Sequence, residues 1–409
     1  MNRIMNNERM KIMNEQAIFT TIHKEKYISR KGIADITGLT KASVTNIVNK
    51  FINHGYLVEK GMGQSTGGRK PVMVTLNSES CWMIGLTLDT QRVSGIITNL
   101  SAEKKFEYSS KINNRWSKEE ILNVIFNVIK ELLVYDREHK IIGIGLAMPG
   151  PYNHEKGELL DLPNFKYFKN ILIRDIIEKE FQLPTFMEKE TQAAALGEYL
   201  FGEVNESKNI FVLVVNYLGI GGGVLLNGKS YRGFADGAGD VGHMIIDRKG
   251  PKCSCGKVGC FEALANGVHM YNEVTKAIEN KTCNAEVPEQ ELKIAEYLHE
   301  KSLEEDRFCN DILDREAEYL SIGITNIIQV FSPQTIILGG DIILGCPTLH
   351  EKVLERVRKN VYPLFQKDID IKLTSFGQNL LTVGGASLVI QEFYNRNPKL
   401  VKKEEPSRL

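Results

Sequence analysis

The sequence predicts an α/β protein: an N-terminal winged helix-turn-helix followed by a longer body of alternating strands and helices. Three observations carry this. Two short helical patterns flank a glycine within residues 29–53 and run into a hairpin. From Cys81 onward, β-rich runs alternate with helical periodicity. The charge is also divided. The 409 residues carry 51 basic and 51 acidic side chains, yet residues 1–80 hold 12 Lys/Arg against 6 Asp/Glu, and the remainder 39 against 45. A basic head on an acidic body fits nucleic-acid contact through the head. The length exceeds one ordinary domain, and 42% hydrophobic with 25% charged residues excludes a disordered chain. No apolar run reaches the ~18 residues of a membrane span. The first twenty residues carry charges and Asn throughout and lack the apolar core of a signal peptide. The expected location is therefore the cytoplasm.

The head comes first. Arg9–Lys24 places Ile12, Ala17, Ile18, Thr21 and Ile22 along one helical face. Ser29 can cap a short helix, and Gly38 can take the positive φ of the turn. Thr40 then caps a second helix, on which Val44, Ile47, Val48 and Phe51 line one face. Lys41, Ser43, Thr45, Asn46 and Asn49 lie mostly on the other, a short polar face suited to base edges and phosphates. The competing reading is a helical hairpin with a solvated face. Tyr56-Leu-Val-Glu-Lys60 and Val72-Met-Val-Thr-Leu76 read as the strands of a wing. The segment between them is glycine-rich, basic and free of acidic residues. Arg69 and Lys70 are its expected DNA contacts, unless this stretch is only an interdomain linker.

In the body, strands are expected at Trp82–Leu88, Val93–Leu100, Ile141–Ala147, Pro184–Met187 and Ile210–Val215, and Thr335–Asp341 reads as a strand running into a glycine turn. Helices are expected at Lys118–Tyr135, Leu172–Phe181 and Glu190–Phe201. Seven cysteines, an odd number in a chain of this kind, do not read as a disulfide framework. Cys81, Cys283, Cys309 and Cys346 are isolated and read as buried thiols.

Several stretches together resemble the ROK family of repressors, open-reading-frame proteins and sugar kinases. They are Met148-Pro-Gly-Pro151, Glu188-Lys-Glu-Thr-Gln-Ala-Ala-Ala-Leu-Gly-Glu198, Gly219-Ile-Gly-Gly-Gly223, Gly239-Asp-Val-Gly-His243 and Cys253-Ser-Cys-Gly-Lys-Val-Gly-Cys-Phe-Glu262. The resemblance runs from about residue 82 to 390 and implies an actin-like fold of two α/β lobes with a sugar cleft between them. The head looks like the repressor branch, and the wing, Gly250-Pro-Lys-Cys-Ser-Cys-Gly256 and Ser375-Phe-Gly-Gln-Asn379 look most like bacterial xylose repressors. The implied organisation is a DNA-binding domain at 1–80, a first lobe at 81–200 rejoined by a C-terminal helix near 380–395, and a second lobe at 201–380 carrying a metal loop.

Departures from the family separate kinase from repressor. The kinases end their first strand in an Asp and follow it with a glycine-rich, phosphate-holding turn. Here Thr87 stands for that Asp, and Asp89-Thr-Gln91 replaces the turn. Tyr217-Leu218 replaces the Gly-Thr of the second phosphate loop, and Lys189-Glu190 replaces the Asn-Asp pair that holds the catalytic base. Phosphoryl transfer rests on positioning and charge stabilisation, so no kinase activity is expected.

His243, Cys253, Cys255 and Cys260 give His-x9-Cys-x-Cys-x4-Cys, the donor set of one closed structural Zn2+ site. The bland alternative is buried free cysteines near an unrelated histidine. Family resemblance places the sugar beside this metal, with Glu190, Asp240, His243 and Glu262 as its contacts; each carboxylate could instead be a solvated surface group. Asp240 stands where the family usually has Glu. The resulting expectation is a sugar-responsive repressor with no catalytic residues, with xylose as the expected effector, a homodimer or higher homo-oligomer on an inverted-repeat operator, and released by sugar. The alternatives are a ROK-type sugar kinase, or a repressor answering to glucose, an aminosugar or a sugar phosphate.

Overall fold

The head assembles around local capping signals. In the computed structural model, which describes residues 2–62, 70–162, 164–204, 207–280, 290–364 and 369–395, α1 (Asn2–Glu25) leads through β1 (Ile28–Ser29) into α2 (Arg30–Thr37) and α3 (Lys41–Asn53). Ser29 accepts from the Gly32 amide at the start of α2, and Gly38 ends that helix at φ 71°. Thr40 accepts from the Ser43 amide to start α3. Caps of this kind contribute about 1 kcal/mol each. Val44, Val48 and Phe51 are buried and Ile47 half-buried. β2 (Leu57–Met62) and β3 (Val72–Leu76) pair antiparallel, and β1 covers the other edge of β3. The strand expected from Tyr56 thus begins one residue later. The wing tip, with Arg69, lies outside the described residues.

The body repeats one strand plan twice. In the first lobe, β4 (Trp82–Leu88), β5 (Arg92–Asn99) and β6 (Lys104–Lys111) form an antiparallel meander. After α4 (Lys118–Tyr135), which Ser117 and Glu120 start with a reciprocal capping box, β7 (Ile141–Met148) returns parallel to β4. A small sheet follows, of β8 (Tyr152–Asn153), β9 (Glu158–Asp161) and β10 (Lys169–Ile171). Then α5 (Ile173–Phe181) leads to β11 (Thr185–Lys189), which adds parallel to β7. The order is β11-β7-β4-β5-β6.

Through α6 (Glu190–Phe201) the chain enters the second lobe and repeats the pattern. β12 (Ile210–Val215), β13 (Ile220–Leu226) and β14 (Lys229–Ser230) make the meander. The loop beyond them leads to α7 (Phe261–Ala265), α8 (Gly267–Glu279), α9 (Ile294–Leu303) and α10 (Arg307–Phe331). β15 (Thr335–Gly339) then adds parallel to β12, and after α11 (Asp341–Gly345) and α12 (Pro347–Asn360), β16 (Asp370–Leu373) adds parallel to β15. The order β16-β15-β12-β13-β14 matches the first lobe strand for strand. This is the two-lobed plan that the family resemblance implies. β15 ends at Gly339 in the expected glycine turn, where Gly340 reverses the chain at φ 97°. Among the described residues no helix is long and apolar enough to cross a membrane.

The last helix, α13 (Leu380–Asn395), packs on α6, β4 and β7. The approach is so close that a Cβ at Gly145 would lie 1.8 Å from the Gly385 carbonyl oxygen, and one at Gly384 2.6 Å from the Ala193 backbone. Its far end joins the head. Val389, Ile390, Phe393 and Tyr394 share one buried cluster with Ile18, Phe19, Ile22, Val48, Phe51 and Tyr56. Phe19 sits at the centre of it, with ring centroids 5.2 Å from Phe51 and 4.8 Å from Tyr394. His23 of α1 donates through Nε2 to the Leu200 carbonyl of α6 (2.6 Å), and its Nδ1 lies 3.4 Å from the Tyr394 hydroxyl. Burial lowers the pKa of this imidazole. Of the isolated cysteines, Cys81, Cys309 and Cys346 are buried, and Cys283 lies outside the described residues.

Candidate functional site

On the head, α3 presents Lys41, Asn46 and Asn49 to solvent. Ser43 and Thr45 are half-buried and partly spent within the helix: the Ser43 hydroxyl accepts from Thr40, and the Thr45 hydroxyl donates to the Lys41 carbonyl. Asn49 accepts from Arg30 of α2 at 2.9 Å, and Arg30 also pairs with Glu59 of the wing. Arg30 thereby ties α2, α3 and the wing together, and the sequence reading missed it. Lys70 is exposed at the base of the wing.

The metal residues converge. The ligand atoms of His243, Cys253, Cys255 and Cys260 all lie within 4.8 Å of one another. The Cys255 and Cys260 sulfurs are 3.6 Å apart, and the Cys253 sulfur is 3.7 Å from His243 Nδ1. Zn–S bonds of ~2.3 Å in a tetrahedron require S···S edges of ~3.8 Å, so this donor set fits a zinc ion. The loop reaches that shape through two left-handed glycines, Gly256 (φ 87°) and Gly259 (φ 73°). At Gly259 no side chain is possible, since a Cβ would stand 1.4 Å from the Asp247 carbonyl oxygen.

The four expected sugar residues fall into two groups, Glu190 at the start of α6 and the other three beyond β13. Glu190 opens α6 in the first-lobe wall. Burial pushes its carboxyl up to about 7, Lys189 pulls it down, and Asp89 pushes it up again. Asp240 and His243 lie on the metal loop side. Glu262 lies there too, on α7, where its Oε2 accepts from the Ile220 amide at 3.2 Å and its Oε1 lies 3.4 Å from the Ser254 hydroxyl. The groups are joined by a residue the sequence reading left out of the site: the Lys189 ammonium is ion-paired with Asp240. Next to it, Glu188 is buried and takes two bonds from Arg232, at 2.8 Å (Nε) and 2.6 Å (Nη2), and one from the Tyr152 hydroxyl. The His154 amide donates to Asp236 at 3.1 Å. Three ties thus run from the first lobe to residues 232–240. The signal for Lys189 was present, as a departure from the family beside Glu190. Arg232 had none, because nothing local links it to Glu188.

At the two turns that the sequence reading sets against the family's phosphate loops, side chains bond to the chain itself. Asp89 Oδ1 accepts from the amides of Gln91 (2.7 Å) and Arg92 (2.9 Å), and its Oδ2 lies 3.3 Å from Arg92 Nε. The Tyr217 ring packs against Gly267, and its hydroxyl donates to Glu291 at 3.0 Å. Asp341, at the start of α11, gives its amide to Asn216, and burial pushes its carboxyl up to about 6.

The family model described as the ROK family matches residues 84–392. The xylose repressor of Bacillus spizizenii is 31% identical over 386 residues, covering 94% of this chain and 96% of that protein. A crystal structure of a ROK family transcriptional regulator, a homologue of the Escherichia coli MLC protein, superposes with a TM-score of 0.80 at 25% identity. It covers 95% of this chain and 97% of the other. The ROK hexokinase of Thermus thermophilus superposes at 0.62 with 25% identity, covering 99% of its own chain but 76% of this one.

Proposed function

The chain belongs to the ROK family, and from that premise we propose that it is a sugar-responsive transcriptional repressor, with xylose as the first effector to test. The observation that carries this reading is the shared core of head and body. α6 begins at Glu190 among the sugar residues and ends at Leu200, whose carbonyl holds His23 of the head. α13 lies along α6 and inserts Phe393 and Tyr394 beside Phe19. A ligand that draws Asp240, His243 and Glu262 toward Glu190 therefore acts on two helices that seat the head.

Bound sugar favours the closed lobes because its contacts are complete only there. Tilting the seats of two heads in a dimer misaligns their recognition helices, since half-site spacing is strict. Lys41, Ser43, Thr45, Asn46, Asn49, Arg69 and Lys70 supply the DNA contacts. The cluster of His243 and three cysteines holds one structural Zn2+, with no coordination position left open. Its role is to fix the loop that carries Asp240 and His243 and leads into Glu262.

A kinase reading is disfavoured by the β4–β5 turn. The amides that a phosphate would need there are satisfied by Asp89, whose charge also opposes an anion.

The test is selection of bound sequences from a random duplex pool by the full chain, followed by titration of xylose, glucose, N-acetylglucosamine and glucose 6-phosphate into the complex. An inverted repeat released by one sugar is expected. Failure to enrich any duplex, or release by none of the sugars, overturns the reading.

A further inference from the structure

We infer that Lys189 is an effector-contacting residue that determines specificity, and that Asp240 holds its place until a sugar hydroxyl inserts between them. The inference rests on the effector-site reading above.

The pair is unequal. The Lys189 side chain is 10% exposed and that of Asp240 55%. Lys189 is fixed from behind: its amide donates to Glu188 Oε1 at 3.0 Å, and Glu188 is locked by Arg232 and Tyr152. Its stem runs past Gly150. The lysine is thus the buried, positioned member, and the aspartate the solvent-facing one. A buried ammonium left without a partner is costly, so the sugar-free protein keeps Asp240 against it.

The donor count points the same way. Ionised Glu190, Asp240 and Glu262 only accept hydrogen bonds, whereas an ammonium only donates. A sugar hydroxyl does both. Placed between Lys189 Nζ and Asp240 Oδ1, it accepts from one and donates to the other, and neither charge loses a partner. An alkyl ether at that position keeps the first bond and loses the second; a deoxy position loses both. The ion pair therefore selects a free hydroxyl at one position of a neutral polyol. Because the pair spans the two lobes, the same hydroxyl replaces a direct tie between them with a bridged one.

Titration calorimetry on the zinc-loaded full chain tests this, with the tightest-binding sugar of xylose, glucose and N-acetylglucosamine and its single-position deoxy analogues. Lys189→Met should weaken the parent sugar about 10–100-fold, the range for one hydrogen bond to a charged group. For the one deoxy analogue that lacks the inserted hydroxyl, wild type and Lys189→Met should bind alike. Lys189→Gln, which retains an N–H donor, should recover part of the loss and stands in if the Met variant does not fold. Unchanged affinity in Lys189→Met, or an equal loss for every analogue, overturns the assignment while leaving the effector site in place. A wild type that binds none of the sugars overturns both.

Discussion

Two ends of one seam between the lobes use their polar groups in opposite ways. Around the β4–β5 and β12–β13 turns the groups are spent on the protein itself. Asp89 takes the turn amides, and Tyr217 fills the space against α8 while its hydroxyl is bound to Glu291. Around Lys189, Asp240, His243 and Glu262 the groups are held by partners that a ligand can replace, or by a loop that a metal can fix. The two turns of the closed end occupy equivalent places in a duplicated strand plan, and what each end of the seam can bind is set elsewhere. Side chains at a few positions decide it: a carboxylate that caps its own turn and a tyrosine held against α8 together close one end, and an ion pair within reach of a ligand stands at the other.

The largest effect that would sharpen this contrast is loss of the metal. Cys255→Ser, or chelation, should release zinc and destabilise the second lobe by several kcal/mol, since binding energy of a structural ion is folding energy. Metal content and thermal unfolding measure it. Sugar binding should fall with the metal, while operator binding by the head survives below the new melting point. Native protein that purifies without chelators and holds no zinc would break the contrast at its strongest point.

Next comes Glu262→Ala. This residue ties α7 to the Ile220 amide and is one of the proposed sugar contacts. Its loss should leave operator affinity unchanged and abolish release by sugar. The coupling that disappears is about 1–3 kcal/mol, roughly 5–150-fold. Linkage requires wild-type sugar affinity to drop by the same factor when operator is present; equal affinity in both conditions would rule out the coupling.

A smaller effect follows from Glu190. With its carboxyl raised to about 7 by burial, it is largely protonated at pH 6. Sugar hydroxyls donate to the ionised form, so sugar affinity should rise about tenfold between pH 6 and pH 8. Without sugar the sign reverses for stability. The folded protein holds a proton that the unfolded chain releases above 4.5, so stability falls as pH rises from there to about 7. Glu190→Gln should flatten both profiles; a wild-type affinity that falls with pH would show that the protonated form binds.

The smallest expected effect is at the closed end. Asp89→Gly frees the turn amides, yet ATP binding should stay undetectable by calorimetry, because Tyr217 and Asp341 still occupy the opposite wall. ATP binding after that single change would mean that one side chain closes this end.

Much of the fold was legible because its signals are local. Ser29, Gly38 and Thr40 place the helix ends of the head through contacts within three or four residues. The helix at Lys118–Tyr135 carries a spaced apolar face, and the strand at Ile210–Val215 an unbroken apolar run, and neither signal needs a partner to be read. β6 escaped, since Lys104-Lys-Phe-Glu-Tyr-Ser-Ser-Lys111 is a largely exposed edge strand that, among the described residues, pairs only with β5. The short strands β8–β10 escaped for the same reason: two to four residues carry no period.

By itself, then, the sequence determined the capped helix pair, the spacing of the His243, Cys253, Cys255 and Cys260 cluster and the side chains of the β4–β5 and β12–β13 turns, because each is written within a short stretch of chain. Only the tertiary structure decided what those residues meet. Lys189 finds Asp240 51 positions later, Glu188 finds Arg232 across the lobes, and His23 finds both Leu200 and Tyr394. Such pairings depend on where two sheets and one close-packed C-terminal helix bring distant backbone together, and no local period encodes that distance.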